Sequence, residues 1–226
     1  MTTALDASRV VTPLRKIGLE PLAKPANRPY PLKYVRTWTM KNGTEVTIRP
    51  IRPEDEPLMV RFHQTLSDRS VYLRYFCSLS LSRRVAHERL VGICFGDYDR
   101  EIVLVAERTE AGKGDCRIIA VGRMNRVRAG NEAEVAVLVS DQYQKLGLGH
   151  ELLRRLVEIA QEEKLMRVSA QILPDNLAMQ VIIEAPWFSG SPEQRPRLCA
   201  GRPRSLEVAL PLEFLDASRI SHYCDG

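Results

Sequence analysis

The stretch from Glu134 to His150 constrains this chain more than any other segment. Val135 to Val139 is apolar at every position, the pattern of a strand covered on both faces and therefore central in its sheet. A short polar turn follows. Next comes a loop punctuated by Gly147 and Gly149, which opens into an amphipathic helix over 149–164. Leu152, Leu153, Leu156, Val157 and Ala160 fall there at helical spacing, and Arg154 and Glu158 pair at i,i+4. A strand–loop–helix junction of this kind leaves N–H groups unpaired at the helix N-terminus, where the macrodipole also favours negative charge. Glycine at both loop positions lets a phosphate approach the main chain. The junction is therefore an anion cradle, and the anion expected is the pyrophosphate of a cofactor.

Two widespread phosphate motifs do not fit. The dinucleotide fingerprint needs a third glycine where Leu152 stands, and the P-loop needs a Gly-Lys-Ser/Thr ending that this loop lacks. Around the cradle the chain alternates strand and helix patterns. Strands are expected at 46–51, 102–106, 118–127, 134–139 and 168–173. Helices are expected from Pro53 onward, with Leu58, Val60, Phe62 and Leu66 on the apolar face, and over 68–76, 82–93 and 149–164. A last helix led by Asn176 should end at Pro186. The strand–helix–strand unit from 134 to 173 requires parallel pairing by a right-handed crossover. The fold class is α/β, with a mixed sheet.

Charge belongs mainly to one end. Residues 1–41 carry +6, so the remaining chain carries −1 of the net +5. With Pro13, Pro21, Pro25, Pro29 and Pro31, the segment 1–42 reads as a basic, extended linker. It lacks interleaved aromatics and any DNA-binding motif, which argues against a nucleic-acid role. No apolar run approaches the roughly 20 residues that span a bilayer, and the first residues lack the apolar core of a secretory signal. Cys77, Cys94, Cys116, Cys199 and Cys224 form no Cys-x-x-Cys pair and do not cluster with the histidines. Reduced thiols in a cytoplasmic protein without a metal site are expected.

Gln144, Gly147 and Gly149 fit the pattern Gln/Arg-x-x-Gly-x-Gly/Ala, which resembles the acyl-CoA pyrophosphate loop of the GNAT superfamily of N-acyltransferases. The order of elements over roughly 43–184 is similar to that fold. Segments at 28–31, 38–44, 48–56, 70–76 and 131–134 look more specifically like the Pat-type acetyltransferase domain found fused to NDP-forming acyl-CoA synthetases. The resemblance implies acetyl transfer from acetyl-CoA to an amine, with a protein lysine on a partner such as an acyl-CoA synthetase as acceptor. It assigns Glu134 as general base, with Glu132 as the fallback. It also gives the main chain of Val137, Leu138 and Val139 to the pantetheine arm and Gln144, Lys145, Gly147, Leu148, Gly149 and His150 to the pyrophosphate. Asn176 is given to CoA from the last helix, although an N-cap role reads equally well. No tyrosine follows Asn176 before Gly201, so no general acid is assigned, and Cys94 and Cys116 are read as buried thiols.

The likeness ends after Gln180. The family's closing turn and two strands are replaced by Pro- and Arg-rich sequence over 185–226, with Leu206 to Phe214 offering one replacement strand broken by Pro211. The expectation for 185–226 is an atypical end, disordered or read out of frame from about 181–186, which would expose a sheet edge. An acyl-CoA-binding module with impaired catalysis, and a small-molecule amine acetyltransferase, stand as alternatives to the protein acetyltransferase.

Overall fold

The computed structural model describes residues 29–109, 114–127 and 131–183, with the backbone alone of 197–200 and 206–211. Eight strands form one sheet: β1 (Arg36–Thr39), β2 (Glu45–Pro50), β3 (Glu101–Thr109), β4 (Cys116–Arg126), β5 (Glu132–Val139), β6 (Arg167–Ile172), β7 (Arg197–Ala200) and β8 (Leu206–Pro211). Their spatial order is β1-β2-β3-β4-β5-β6-β8-β7. Every neighbouring pair is antiparallel except β5 and β6, which run parallel as the crossover argument requires.

Among the described residues six α-helices flank the sheet: α1 (Glu56–Gln64), α2 (Asp68–Tyr75), α3 (Leu81–Arg84), α4 (His87–Cys94), α5 (Leu148–Glu162) and α6 (Leu177–Ile183). Alternation along the strands sends one set of side chains toward α5 and the other toward α1, α2 and α4. Ile48, Leu104, Ala120, Val135 and Val168 join Leu152, Leu153 and Leu156 of α5 in one core. Val103, Val105, Ile118 and Leu138 join Met59, Phe62, Val71 and Leu90 in the other. β3 is buried on both faces from Ile102 to Ala106, so it and its neighbours form the centre of the domain. The buried stripe of α1 is Met59, Phe62 and His63, at i, i+3 and i+4, continued by Leu66 just past the helix, while Leu58 and Val60 lie half-exposed at its flanks.

Three expectations need correction. The segment 1–42 is not linker throughout, because Arg36–Thr39 pairs in full with β2 across a turn at Asn42 and Gly43. Its exposed, two-residue alternation is too short to stand out as a strand by pattern alone. The helix expected over 82–93 breaks into α3 and α4, because Ser80 caps α3 and Val85 and Ala86 leave helical geometry before His87. The sheet edge beyond β6 is not open: all six residues of β6 pair with β8, from Arg167 with Pro211 to Ile172 with Leu206. The replacement strand therefore exists, and β7 pairs outside it. The rest of 185–226, with the expectation of disorder or altered frame, lies outside the described residues, as does the basic segment before Pro29.

Two charge networks lock the layers. Arg49 on β2 is almost fully buried and forks onto the Asp55 carboxylate, with both bonds at 2.7 Å; Nη2 and Nε also reach Glu107 of β3 at 2.6 and 2.8 Å, and Nη1 donates to the Pro50 carbonyl at 3.1 Å. Asp55 also accepts the Arg52 N–H at 2.7 Å, which fixes the 3-10 turn leading into α1. On α5, Glu151 is buried and accepts from Arg154 and Arg155, and Arg155 reaches the Arg36 carbonyl of β1 at 3.4 Å. Burial works to raise the Glu151 carboxyl, but the two guanidinium groups outweigh it and hold its pKa below the usual value.

Removing Asp55 leaves the Arg49 charge buried with Glu107 as its sole acidic partner. Asp55→Ala is therefore expected to cost about 3 kcal/mol in chemical denaturation, more than any exposed carboxylate. A midpoint unchanged from wild type would show that the network carries no net stability. Because the folded Glu151 pKa is depressed, its contribution is present above the unfolded value of about 4.3 and is lost as pH falls through the folded value. Thermal melts from pH 7 downward should fall less steeply below about pH 4 in Glu151→Gln than in wild type.

Candidate acetyl-CoA and acceptor site

The parallel contact between β5 and β6 is only three residues long: Glu132 with Arg167, Ala133 with Val168 and Glu134 with Ser169. Beyond Glu134 the two strands part, although β5 runs on to Val139 and β6 to Ile172. The edge of β5 from Val135 to Val139 on the β6 side therefore has no strand partner among the described residues. Unpaired main-chain N–H and C=O groups in the middle of a sheet need an acceptor or donor from elsewhere. An extended ligand carrying amides meets that need as an added strand would.

The anion cradle lies at the far end of this opening. Gly147 is the N-cap of α5 with φ +86°, and Lys145 also stands in the left-handed region at +64°. The N–H groups of Gly147, Leu148 and Gly149 donate to no described residue. A Cβ on Gly147 would lie 3.3 Å from Cη2 of Trp38, and one on Gly149 would lie 3.4 Å from Ile182 and 3.6 Å from Val139. Glycine is thus required at 147 by conformation, while at 149 it lets β5, α5 and α6 meet at the mouth of the opening.

Structure distributes the eleven expected residues unevenly. Val137 and Val139 face α5, whereas Leu138 is core on the other face, so all three can offer only backbone to a ligand. Leu148 is likewise core and contributes its N–H alone. The Gln144 side chain turns inward, donating to Ser70 Oγ at 3.1 Å and to the Val139 carbonyl at 3.2 Å. Lys145 is exposed beside the cradle. His150 is half-buried, and burial lowers its pKa, which favours the neutral ring. Asn176 caps α6, its Oδ1 accepting from the Met179 N–H at 3.2 Å, so only its amide NH₂ remains for a ligand.

Glu134 is exposed at the last position of β5 that pairs with β6. Its side chain projects on the α1 and α2 face, since Ala133 and Val135 face α5. The Arg74 guanidinium of α2 is close enough to feel its charge. Glu132 is instead drawn toward Arg167 at 3.7 Å. Burial pushes the Cys94 thiol up to about 11, which keeps it protonated and non-nucleophilic at neutral pH. Cys116 is half-buried beside Thr109. No group of three or more potential metal ligands occurs among the described residues.

Several residues escaped the sequence reading. Asp141 accepts from the Ser67 N–H and hydroxyl at 2.8 and 2.7 Å and from the Ser70 hydroxyl at 2.8 Å, bolting the loop to the start of α2. Burial would raise its carboxyl, but these bonds prevail and lower it. Ser67 caps α2, and its link to a residue 74 positions away leaves no local pattern in the sequence. Trp38 and Lys41 wall Gly147, and the Lys41 N–H donates to the Leu146 carbonyl at 3.2 Å.

Residues 45–185 match the family model of the acetyltransferase (GNAT) domain, which takes in most of the chain. The chain belongs to the GNAT acetyltransferase family. It is accordingly an acetyl-CoA-dependent N-acetyltransferase with the GNAT fold. The acetyltransferase PA5475 of Pseudomonas aeruginosa is 27% identical over 152 residues, covering 67% of this chain and 79% of the relative. The acetyltransferase Pat of Mycolicibacterium smegmatis is 30% identical over 148 residues, covering 64% of this chain but 41% of that protein. The crystal structure of the GNAT domain of S. lividans PAT superposes with a TM-score of 0.67 at 25% identity, covering 81% of this chain and 99% of that one. The similarity to Pat acetyltransferases is thus real and distant. No helix among the described residues is long and apolar enough to cross a membrane.

Gly147→Ala forces a left-handed alanine against the Trp38 ring, costing about 1–2 kcal/mol. Calorimetry should show acetyl-CoA affinity weakened by about tenfold or more, because the same change disturbs the cradle N–H groups. Wild-type affinity in this variant would remove the loop from the cofactor site.

Proposed function

We propose that this GNAT domain moves acetyl from acetyl-CoA directly onto an amine, that Glu134 is the general base, and that the acceptor is a protein lysine on a partner such as an acyl-CoA synthetase. The observation that carries the reading is the position of Glu134, at the last paired residue before β5 and β6 part. A thioester held along the free edge of β5 has its carbonyl within reach of main-chain donors that polarise it, and the carboxylate stands beside it on the acceptor face. A lysine ammonium ion has a pKa near 10.4, so it must lose a proton before its nitrogen can attack. Glu134 takes that proton, directly or through one water. Nitrogen then bonds to the acetyl carbon, the carbon–sulfur bond breaks, and CoA leaves as a thiolate that takes up a proton.

The cradle of Gln144, Lys145, Gly147, Leu148, Gly149 and His150 holds the pyrophosphate, with neutral His150 as a hydrogen-bonding rather than a charged partner. The pantetheine arm lies against the backbone of Val137, Leu138 and Val139, and the Asn176 amide donates from α6. The lysine acceptor is supported by the likeness to the Pat acetyltransferases over two thirds of this chain or nearly so.

Glu134→Gln is expected to lower kcat/KM by about 10²–10⁴-fold while leaving the Kd for acetyl-CoA within twofold of wild type. Turnover is followed as free thiol released from acetyl-CoA, with purified acyl-CoA synthetases as acceptors. An unaltered rate in this variant would remove Glu134 from the mechanism.

A further inference from the structure

On the acceptor face, a cavity of about 40 Å³ lies between α1, α2 and α4 and the strands β3 to β5. Arg74, Tyr75, Arg89 and Arg123 line it, with His63 and Ala136. Ala136 is two residues along β5 from Glu134 on the same face, roughly 7 Å away. Arg123 stands directly across from Ala136 on β4. The cavity is therefore adjacent to the base. The sheet separates it from the α5 core, and it is distinct from the pyrophosphate cradle.

Its charge is only partly balanced: the Glu134 carboxylate lies near enough to Arg74 to be felt, without an ion pair between them. Arg123 is paired with Glu101, through a 2.7 Å bond from Nη2 and a second contact from Nε. Arg74 and Arg89 are different. Both guanidinium groups pack on the Tyr75 ring, at 5.2 and 5.0 Å from its centre, and neither makes a hydrogen bond or ion pair with a described residue. The Nε of Arg89 is buried without an acceptor. His63 is 2% exposed, and neither ring nitrogen has a partner. Burial and the neighbouring Arg84 and Arg89 lower its pKa to about 4, so at neutral pH the ring is neutral and can donate one hydrogen bond. Two like-charged groups converging in a half-buried site repel each other, and one carboxylate between them relieves both costs. Guanidinium forks match a carboxylate in geometry as well as charge. The cavity has room for that group and little more.

We infer that this cavity, built by Arg74, Arg89, Tyr75 and His63, is an acceptor subsite for a carboxylate, so that the amine acetylated beside Glu134 belongs to a molecule carrying an acidic group close to that amine. The inference rests on the reading of Glu134 as base only for the identity of the ligand as acceptor. Two sources supply this chemistry: the carboxylate of a free amino acid, and an acidic side chain flanking a lysine in a protein.

Succinate serves as the probe that does not depend on turnover. Titrated into the full chain at low salt, it should shift the Arg74 and Arg89 Nε–Hε signals in ¹⁵N–¹H spectra saturably. The signal of the remaining arginine should lose the response in either single variant, Arg74→Gln or Arg89→Gln. The absence of a saturable shift, or an equal shift with chloride, would overturn the subsite even if the enzyme proved inactive. In the second arm, acetyl-CoA turnover is compared between lysine peptides with glutamate or glutamine beside the lysine, and between free lysine and cadaverine. The acidic member of a pair should have a KM lower by about tenfold, and Arg89→Gln should erase that difference with the KM for acetyl-CoA unchanged. A preference in the peptide pair identifies a protein acceptor, and one in the free pair identifies an amino acid. Equal KM values within both pairs would overturn the inference while leaving the general-base reading intact. No turnover with any acceptor would count against that reading instead, and the succinate arm would still decide the subsite. A purely structural role for Arg89 would lower melting temperature and kcat alike for acidic and neutral acceptors.

Discussion

The short parallel contact between β5 and β6 is the constraint from which the functional half of this domain follows. A sheet of eight strands normally satisfies its backbone from edge to edge, and here that satisfaction stops after Glu134. The interruption is stable because both strands are held from their other sides: β5 by seven paired positions on β4, β6 by six on β8. Neither strand needs the other to stay in place, so the gap can persist without collapsing the sheet. Had β8 not covered β6, the free edge would have lain on a strand with no other support. The hairpin at the end of the chain therefore does more than close the fold: it lets the central opening exist.

Around that opening, polar contacts join elements far apart in sequence. Asp141 ties the loop before α5 to the cap of α2, and Gln144 reaches the same Ser70 hydroxyl. These contacts connect the glycine loop before α5 to the helix that carries Arg74 and Tyr75. Arg49 and Asp55 play the corresponding part for α1, fixing the turn that aims His63 and Phe62 at the sheet. Much of the buried charge in this domain thus orients helices over the β-sheet face that carries Glu134.

What could be read from sequence follows from what periodicity and turn chemistry report. The apolar run of β5, the amphipathic α5 and the two glycines are local patterns, and they made the strand–loop–helix junction legible. Strand pairing is not local. The four residues of β1 carry no alternation strong enough to mark them, and they were assigned to a linker with the proline-containing basic segment before them. β8 was legible as an apolar run, but its partner was not, since pairing with β6 depends on register across more than 30 residues. The arginine-lined cavity was invisible for the same reason. Arg74, Arg89 and Arg123 come from α2, α4 and β4, and nothing in their spacing announces that they meet.

The contact of Trp38 and Lys41 with Gly147 also bears on where this domain begins. The family match starts at residue 45, and every motif residue of the cofactor loop lies well after it. Yet the Leu146 carbonyl is held by the Lys41 N–H, and the indole of Trp38 backs the left-handed turn. A fragment cut at the family boundary would keep the full glycine signature and lose the wall that shapes it. For this chain, the smallest unit able to hold the Gly147 turn in its observed surroundings starts upstream of the family match, at or before β1.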